Sequence, residues 1–219
     1  KDDLKVTSGT IEVTAVNDGL RGRDSIAILD GSITIDAGND GLKSNRDGDT
    51  EKGWIVLDGG SYRITAEHDG IQAQTQLVIH GGEYTITAGG GSGNSGFVKR
   101  QSTAEDTGES YKGLKASAIT VTGGTLTIDA ADDSVHANGD ALLEAGTLYL
   151  SSGDDGVHAD GNLTITSAFI EISKSYEGLE GASIDINGGT IRLTASDDGI
   201  NAAGGSDSTG GGGWMGQDS

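Results

Sequence analysis

The chain has 219 residues, of which 39 are Gly and none is Pro or Cys, and its formal net charge is -20 at pH 7. A chain this acidic repels polyanions, so nucleic acid is excluded as a direct partner. The absence of Cys excludes disulfides, thiol catalysis and Cys-ligated metals, leaving oxygen ligands and four His for metal chemistry. No apolar run reaches the roughly 18 residues of a spanning helix, so we expect no membrane insertion.

A repeat runs through almost the whole chain. Short strand-like segments start at eight positions, which lie 22, 29, 22, 42, 22, 22 and 21 residues apart. The repeat unit is therefore 22 residues long, with a short insertion in the second unit and a longer one, residues 89–110, in the fourth. A constant period of this kind is typical of solenoids. The eight starts are Gly9, Gly31, Gly60, Gly82, Gly124, Gly146, Ala168 and Gly189.

Each unit contains two or three short strands, separated by turns, in a fixed order. It begins with a strand, because apolar and polar residues alternate with a period of two, as in residues 33–37. A turn tripeptide such as Asn39-Asp40-Gly41 follows, and we attribute its Gly to the tolerance of Gly for positive φ. A second short strand, such as residues 157–159, comes next, and often a third, such as residues 76–79.

Three short strands and three turns in 22 residues favour units that stack on one another. We therefore predict an all-β fold, a right-handed, single-stranded parallel β-helix (solenoid) of about eight coils over residues 4–203. Residues 204–219 are rich in Gly and Ser and predict a flexible tail, unless Trp214 and Met215 cap the last coil. The long insertion is either a flap over a binding face or an excursion without a role.

Stacking turns equivalent positions into columns, and one column is acidic. Adjacent carboxylates in it lie about 4.8 Å apart, so each ionised pair repels by about 3 kcal/mol at an effective dielectric of about 20. Raised pKa values or a bound cation relieve this repulsion, and an ion midway between coils lies at about the distance that Ca²⁺ prefers. This acid column is Asp18, Asp40, Asp69, Lys112, Asp133, Asp155, Glu177 and Asp198, with Asp2 as a candidate extension.

Three clusters in and beside the acid column predict two or three Ca²⁺ ions. The alternative is plain turn chemistry, because Asp and Asn favour turns without any ion. The first cluster is Asp132, Asp133, Asp154 and Asp155 with Glu177, the second is Asn17, Asp18, Asn39 and Asp40 with Asp69 or Asp2 as the outer partner, and the third is Asp197 and Asp198 with Glu177.

Two features of the chain resemble those of a known family. These features are the turn units at residues 39–44 and 154–159 and the Gly-Gly-Thr-Ile strands. They resemble secreted, calcium-binding parallel β-helix carbohydrate-binding proteins of cellulolytic bacteria, which are similar to family 9 pectate lyases. The resemblance implies calcium-dependent, non-catalytic binding of a plant polysaccharide at the cell surface or outside the cell. It implies polygalacturonate or another acidic sugar, with cellulose as a further candidate. An acidic polymer can approach this chain through Ca²⁺ shared between protein and sugar carboxylates.

A second, partly basic column lies two residues past the turn glycine. We interpret Lys43, Lys115, His136 and His158 in it as candidate sugar contacts, and a solvated face is the alternative. His136 and His158 are expected to be hydrogen-bonded surface groups rather than ligands of a transition metal. Tyr111 and Tyr176 are candidate stacking platforms, whereas Tyr62 and Tyr84 are expected in the core. The column is Arg21, Lys43, Gln72, Lys115, His136, His158, Glu180 and Asn201.

Two other functions stay open. A pectate lyase acting by β-elimination needs a Lys of lowered pKa beside Ca²⁺, and the candidates are Lys112, Lys174 and Lys115. Acidic neighbours strengthen proton binding, so Lys112 is interpreted as a built-in counterion and catalysis is the less favoured reading. A structural surface or adhesin rod without sugar affinity is the third possibility.

Overall fold

The computed structural model describes residues 2–46, 48–95 and 110–202, which form 22 strands and one short 3₁₀ helix, Ser92–Asn94. The insertion is therefore described only at its two ends, and the predicted tail lies outside the described residues. In chain order the strands are β1 Asp3–Val6, β2 Thr10–Ala15, β3 Leu20–Arg21, β4 Ser25–Ile28, β5 Ser32–Ala37, β6 Leu42–Ser44, β7 Trp54–Leu57, β8 Ser61–Ala66, β9 Ile71–Ala73, β10 Gln76–Ile79, β11 Glu83–Ala88, β12 Leu114–Ala116, β13 Ala118–Val121, β14 Thr125–Ala130, β15 Val135–Ala137, β16 Ala141–Leu143, β17 Thr147–Ser152, β18 Val157–Ile165, β19 Phe169–Lys174, β20 Leu179–Ile186, β21 Thr190–Leu193 and β22 Ile200–Asn201.

The strands form two parallel sheets. One sheet has eight strands in the order β2-β5-β8-β11-β14-β17-β19-β21, so each first strand of a repeat pairs with its copy in the next. The second sheet has 14 strands in two rows, which β18 and β20 join because each of them contributes to both rows. The all-β, parallel prediction is confirmed, and the arrangement is consistent with a parallel β-helix. Its handedness and coil count stay predictions.

Inward-facing columns of aliphatic residues form the core. Ile35, Ile64 and Ile86 occupy one register position on successive strands, and each is about 1% exposed. Tyr62 and Tyr84 stack in the same core with ring centroids 4.5 Å apart, as the sequence predicts. Their hydroxyls donate hydrogen bonds of 2.8 and 2.7 Å to the carbonyl oxygens of Gly59 and Gly81, so no phenol is left without a partner.

The turn tripeptides need Gly for a different reason from the one expected. Positive φ occurs at the strand-start glycines, such as Gly60 at 100° and Gly82 at 104°, and not at turn glycines such as Gly41 or Gly70. A Cβ on Gly70 would lie 2.4 Å from the Ile86 side chain and 2.6 Å from the carbonyl oxygen of Gly113. The turn glycine is therefore required by the close approach of the next coil, and the positive-φ explanation was wrong.

The first strand corrects one register prediction. β1 pairs with β4, which places Asp3 opposite Ser25 and brings the backbone of Asp2 beside Asp24. Asp2 therefore does not extend the acid column.

No helix in the described part of the chain is long and apolar enough to cross a membrane.

We expect Gly70→Ala to lower the free energy of unfolding by about 2 kcal/mol, because the added methyl group overpacks the contact between coils. Gly93→Ala is the matched control, since a Cβ there has no atom within 4 Å. Equilibrium unfolding in urea measures both variants. Equal stability of the two variants would contradict the close-approach explanation.

Candidate functional site

The acid column forms with the predicted register. In each coil, the residue directly after the acid-column position donates its backbone N–H to the carbonyl oxygen of the acid-column residue in the next coil. Examples are Gly19 to Asp40 at 2.9 Å and Gly156 to Glu177 at 3.0 Å. The partly basic column also forms, because the strands that carry it pair in sequence from Arg21 to Asn201. The sequence period therefore predicts correctly which residues follow one another along the two columns.

Several carboxylates in the column have a structural task. One oxygen of Asp40 accepts the backbone N–H of Asp69 at 3.0 Å, and one oxygen of Asp69 accepts that of Lys112 at 2.8 Å. Asp133 and Asp155 accept the N–H groups of Asp155 and Glu177 in the same way, at 2.8 and 3.1 Å. An Asp here satisfies a backbone donor that would otherwise lose its partner at the turn. This contact needs no metal ion.

Basic side chains neutralise the first part of the column. Arg21 lies 3.3 Å from the Asp18 carboxylate, and the Lys43 ammonium contacts Asp40. Asp18 also accepts a 2.5 Å hydrogen bond from the amide of Asn39. The second predicted cluster therefore already contains two cations of the chain itself, while its outer member Asn17 is exposed.

Lys112 lies one coil before the first predicted cluster and contacts two of its members. Its buried Nζ lies 2.7 Å from Asp133 and 2.9 Å from Asp132. Burial alone would lower the pKa of Lys112, but these two carboxylates outweigh burial and hold its pKa above the usual value. Lys112 is therefore a cation at neutral pH and acts as the counterion that the sequence predicts. Asp154 completes a close group with Asp132 and Asp133 beside it.

His136 and His158 are buried rather than on the surface, so that part of the expectation was wrong. Their rings stack with centroids 4.8 Å apart, and both bond to carboxylates as expected. The Nδ1 of His136 lies 2.8 Å from Asp133, and that of His158 lies 2.9 Å from Glu180. Lone pairs of imidazole lie in the ring plane, so two stacked rings are poorly placed to share one transition-metal ion.

Two carboxylate contacts of His158, with Asp160 and Glu180, were not predicted from the sequence. Its Nε2 lies 3.1 Å from Asp160, and its Nδ1 lies 2.9 Å from Glu180 and 3.2 Å from Asp155. Glu180 follows from column register, whereas Asp160 is two residues along the same strand, where an extended backbone places both side chains on one face. Three carboxylates around one imidazole leave an excess of negative charge at this point of the column.

The last part of the column differs from the first part in its contacts with basic side chains. Within the described ranges, no Lys or Arg nitrogen lies within 4 Å of Asp155, Glu177 or Glu180. Burial raises the pKa of Asp155 to about 6, and Asp133 and Glu180 add to the rise. Burial also raises the pKa of Glu177, helped by the charges of Asp155 and Asp198. We name this region the C-terminal acid cluster: Asp154, Asp155, Glu177, Glu180, Asp197 and Asp198.

The other predicted site residues lie in different settings. Tyr111 is 8% exposed and packs edge-on against His68, so it offers little open face for stacking on a sugar. Tyr176 is 42% exposed, and its hydrogen bond to Asp197 raises the pKa of the phenol. Lys174 donates to the carbonyl oxygen of Ser92, and Lys115 donates to the Ser110 hydroxyl at 2.7 Å.

Comparison with known proteins identifies the family. The sequence model of a family described as carbohydrate-binding domain-containing protein matches residues 1–156, which is more than half of the chain, so the chain belongs to that family. Among solved structures, the C-terminal domain of tapirin from Caldicellulosiruptor kristjanssonii is similar at 15% identity and a TM-score of 0.39. That alignment covers 96% of this chain and 56% of the tapirin domain. No curated protein matches the chain.

In a chelating buffer, we expect Asp155→Asn to stabilise the protein at pH 7.5 by about 1–2 kcal/mol. The folded-state pKa of about 6 exceeds the ordinary Asp value of 3.8, so the stability contributed by the protonated carboxyl is complete below about pH 4. That contribution is lost as the pH rises through 6, and the Asn variant removes this part of the loss.

Thermal unfolding between pH 4 and 8 tests the expectation, with Asp185→Asn as an exposed control. A variant that follows the parent protein across this range would show that Asp155 carries no such penalty.

Proposed function

We propose that this member of the carbohydrate-binding domain family binds an acidic plant cell-wall polysaccharide of the polygalacturonate type through Ca²⁺ and does not cleave it. The observation that carries the proposal is the C-terminal acid cluster, whose members Asp155, Glu177 and Glu180 have no Lys or Arg partner among the described residues. The first part of the same column has such partners. A divalent cation is the simplest remaining counterion for the last part.

The donor chemistry of the cluster fits Ca²⁺. Ca²⁺ takes about six to eight oxygen ligands and prefers carboxylates, carbonyls and water. Asp197 and Asp198 are exposed and Glu177 is half-buried, so an ion held by them keeps open positions towards solvent. Carboxylates of a uronate polymer can fill these positions, and we expect two or three ions along the column.

Electrostatics make the ion necessary for this ligand. The chain carries a net charge of -20, and a polyuronate carries one negative charge per sugar, so direct contact is repulsive. Ca²⁺ shared between the two sets of carboxylates converts the repulsion into attraction. The ring of Tyr176 is 42% exposed and lies beside Asp197, where its exposed part can contact a sugar ring.

A non-catalytic role fits the environment of the lysines. β-Elimination needs a neutral base near the ion, but Lys112 bonds to two carboxylates and its pKa is raised. Lys115 and Lys174 are each held by an oxygen acceptor. The proposal places the protein outside the cell or on its surface, where such polysaccharides occur.

Titration calorimetry with polygalacturonate tests this function, using chelated and calcium-loaded protein and following the absorbance of unsaturated uronate in the same samples. We expect binding heat only with calcium, and no absorbing product. Product formation would make the chain a lyase, whereas the absence of heat in both states would favour a structural rod.

The double variant Asp197→Asn/Asp198→Asn should weaken calcium-dependent binding of polygalacturonate about ten-fold or more, because amides replace two charged ligands. Asp36→Asn is the control, since Asp36 is an exposed acid on the eight-stranded sheet. Unchanged affinity in the double variant, with calcium dependence retained, would move the ion site elsewhere.

A further inference from the structure

A groove of about 540 Å³ lies on the outer face of the 14-stranded sheet, far along the chain from the C-terminal acid cluster. Trp54 and Leu29 provide apolar lining, and Ser25 and Ala27 of β4 belong to it as well. Its volume falls within the range of about 300–1,000 Å³ that is typical of small-ligand sites. The sequence alone indicates no role for any of these four residues.

Strand register explains why a groove exists here. Ser25 lies opposite Asp3 of β1 on one side and Trp54 of β7 on the other, and Ala27 lies opposite Lys5. Two small side chains on β4 are therefore flanked by longer ones on the neighbouring strands. The flanking strands are about 9.6 Å apart, twice the strand spacing of about 4.8 Å, so the trench runs along β4.

The lining combines an aromatic surface with hydrogen-bonding groups. Trp54 is half-buried and Leu29 is 37% exposed, so both keep apolar area towards the groove. The charged residues in the lining are two Asp and two Lys, so their formal charges cancel although the whole chain carries -20. The buried carboxylate of Asp24 is already paired with Arg46 at 3.0 Å and Lys52 at 3.4 Å. An uncharged ligand with one apolar face and several hydroxyls matches this lining.

We propose that this Trp54 groove is a calcium-independent subsite for a neutral pyranose chain. The C–H face of a sugar ring stacks on the indole, and its hydroxyls bond to the Asp and Lys side chains of the rim. The inference rests on the proposed function only in taking the chain to be a polysaccharide binder. The groove also lies entirely within residues 1–156, the part of the chain that matches the carbohydrate-binding family.

Tryptophan fluorescence gives a direct test, because the chain has two Trp, at positions 54 and 214. In a Trp214→Phe background the emission reports on Trp54 alone. Titration with cellohexaose should change that emission, with the same dissociation constant in calcium and in chelator. No change in emission, or binding that requires calcium, would overturn the proposal.

Variants of two groove residues test by calorimetry whether the ligand binds in the groove. Trp54→Ala should weaken cellohexaose binding about ten-fold or more, with Trp54→Phe in between, because the stacking surface is lost or reduced. Ala27→Leu should also weaken it, because the added side chain fills the groove and leaves Trp54 in place. Tyr149→Ala removes another exposed aromatic residue, on the eight-stranded sheet, and should have no effect. Circular dichroism verifies that each variant is folded.

The groove and the proposed calcium site can be tested independently of each other. Trp54→Ala should leave calcium-dependent binding of polygalacturonate intact, and Asp197→Asn/Asp198→Asn should leave cellohexaose binding intact. If cellohexaose binds and polygalacturonate does not, the proposed function fails and the groove stands. Full-affinity cellohexaose binding by folded Trp54→Ala or Ala27→Leu would overturn the groove proposal. So would a dimer of the parent protein that Trp54→Ala converts into a monomer, because the occupant would then be a second copy.

Discussion

Parallel stacking brings each residue within about 4.8 Å of its equivalent in the next coil, and in the turns this means carboxylate against carboxylate. Different side chains offset the repulsion between these carboxylates at different points of the column. Arg21 and Lys43 neutralise the first carboxylates, and the buried ammonium of Lys112 holds Asp132 and Asp133. Further along, Asp155 and Glu177 have no Lys or Arg partner among the described residues, and burial raises the pKa values of both carboxyls. Equivalent positions of the column therefore differ in their counterions, and the carboxylates without a basic partner are the candidates for binding a cation.

Several Asp residues in the column divide their two oxygens between two tasks. In Asp133, Oδ1 accepts the backbone N–H of Asp155, while Oδ2 contacts Lys112 and His136. In Asp155, Oδ1 accepts the N–H of Glu177, and Oδ2 contacts His158. The first contact supports the turn, and the second is free to change its partner. The partner can therefore differ from coil to coil without any change in the backbone.

The sequence predicts contacts that depend on the period and misses those that depend on shape. The repeat is enough to place both columns and the core position of Tyr62 and Tyr84. The cause of the turn glycines was missed because the nearest atom to Gly70 belongs to the neighbouring coil, whose distance no sequence pattern reports. The burial of His158 was missed for a similar reason. The groove beside Trp54 becomes visible only when β4 is known to lie between β1 and β7.

The residue three positions after an acid changes the charge balance at several coils of the column. At the first two coils this position holds Arg21 and Lys43, and both contact the acid three residues before them. His136 and His158 occupy it in the middle and contact Asp133 and Asp155. After Glu177 the same position holds Glu180, which adds a carboxylate instead of a cation, and after Asp198 it holds Asn201, whose amide donates to Glu177. Because the backbone hydrogen bonds between coils are the same throughout, the acid cluster at the end of the column arises from side-chain identity at this position rather than from the fold.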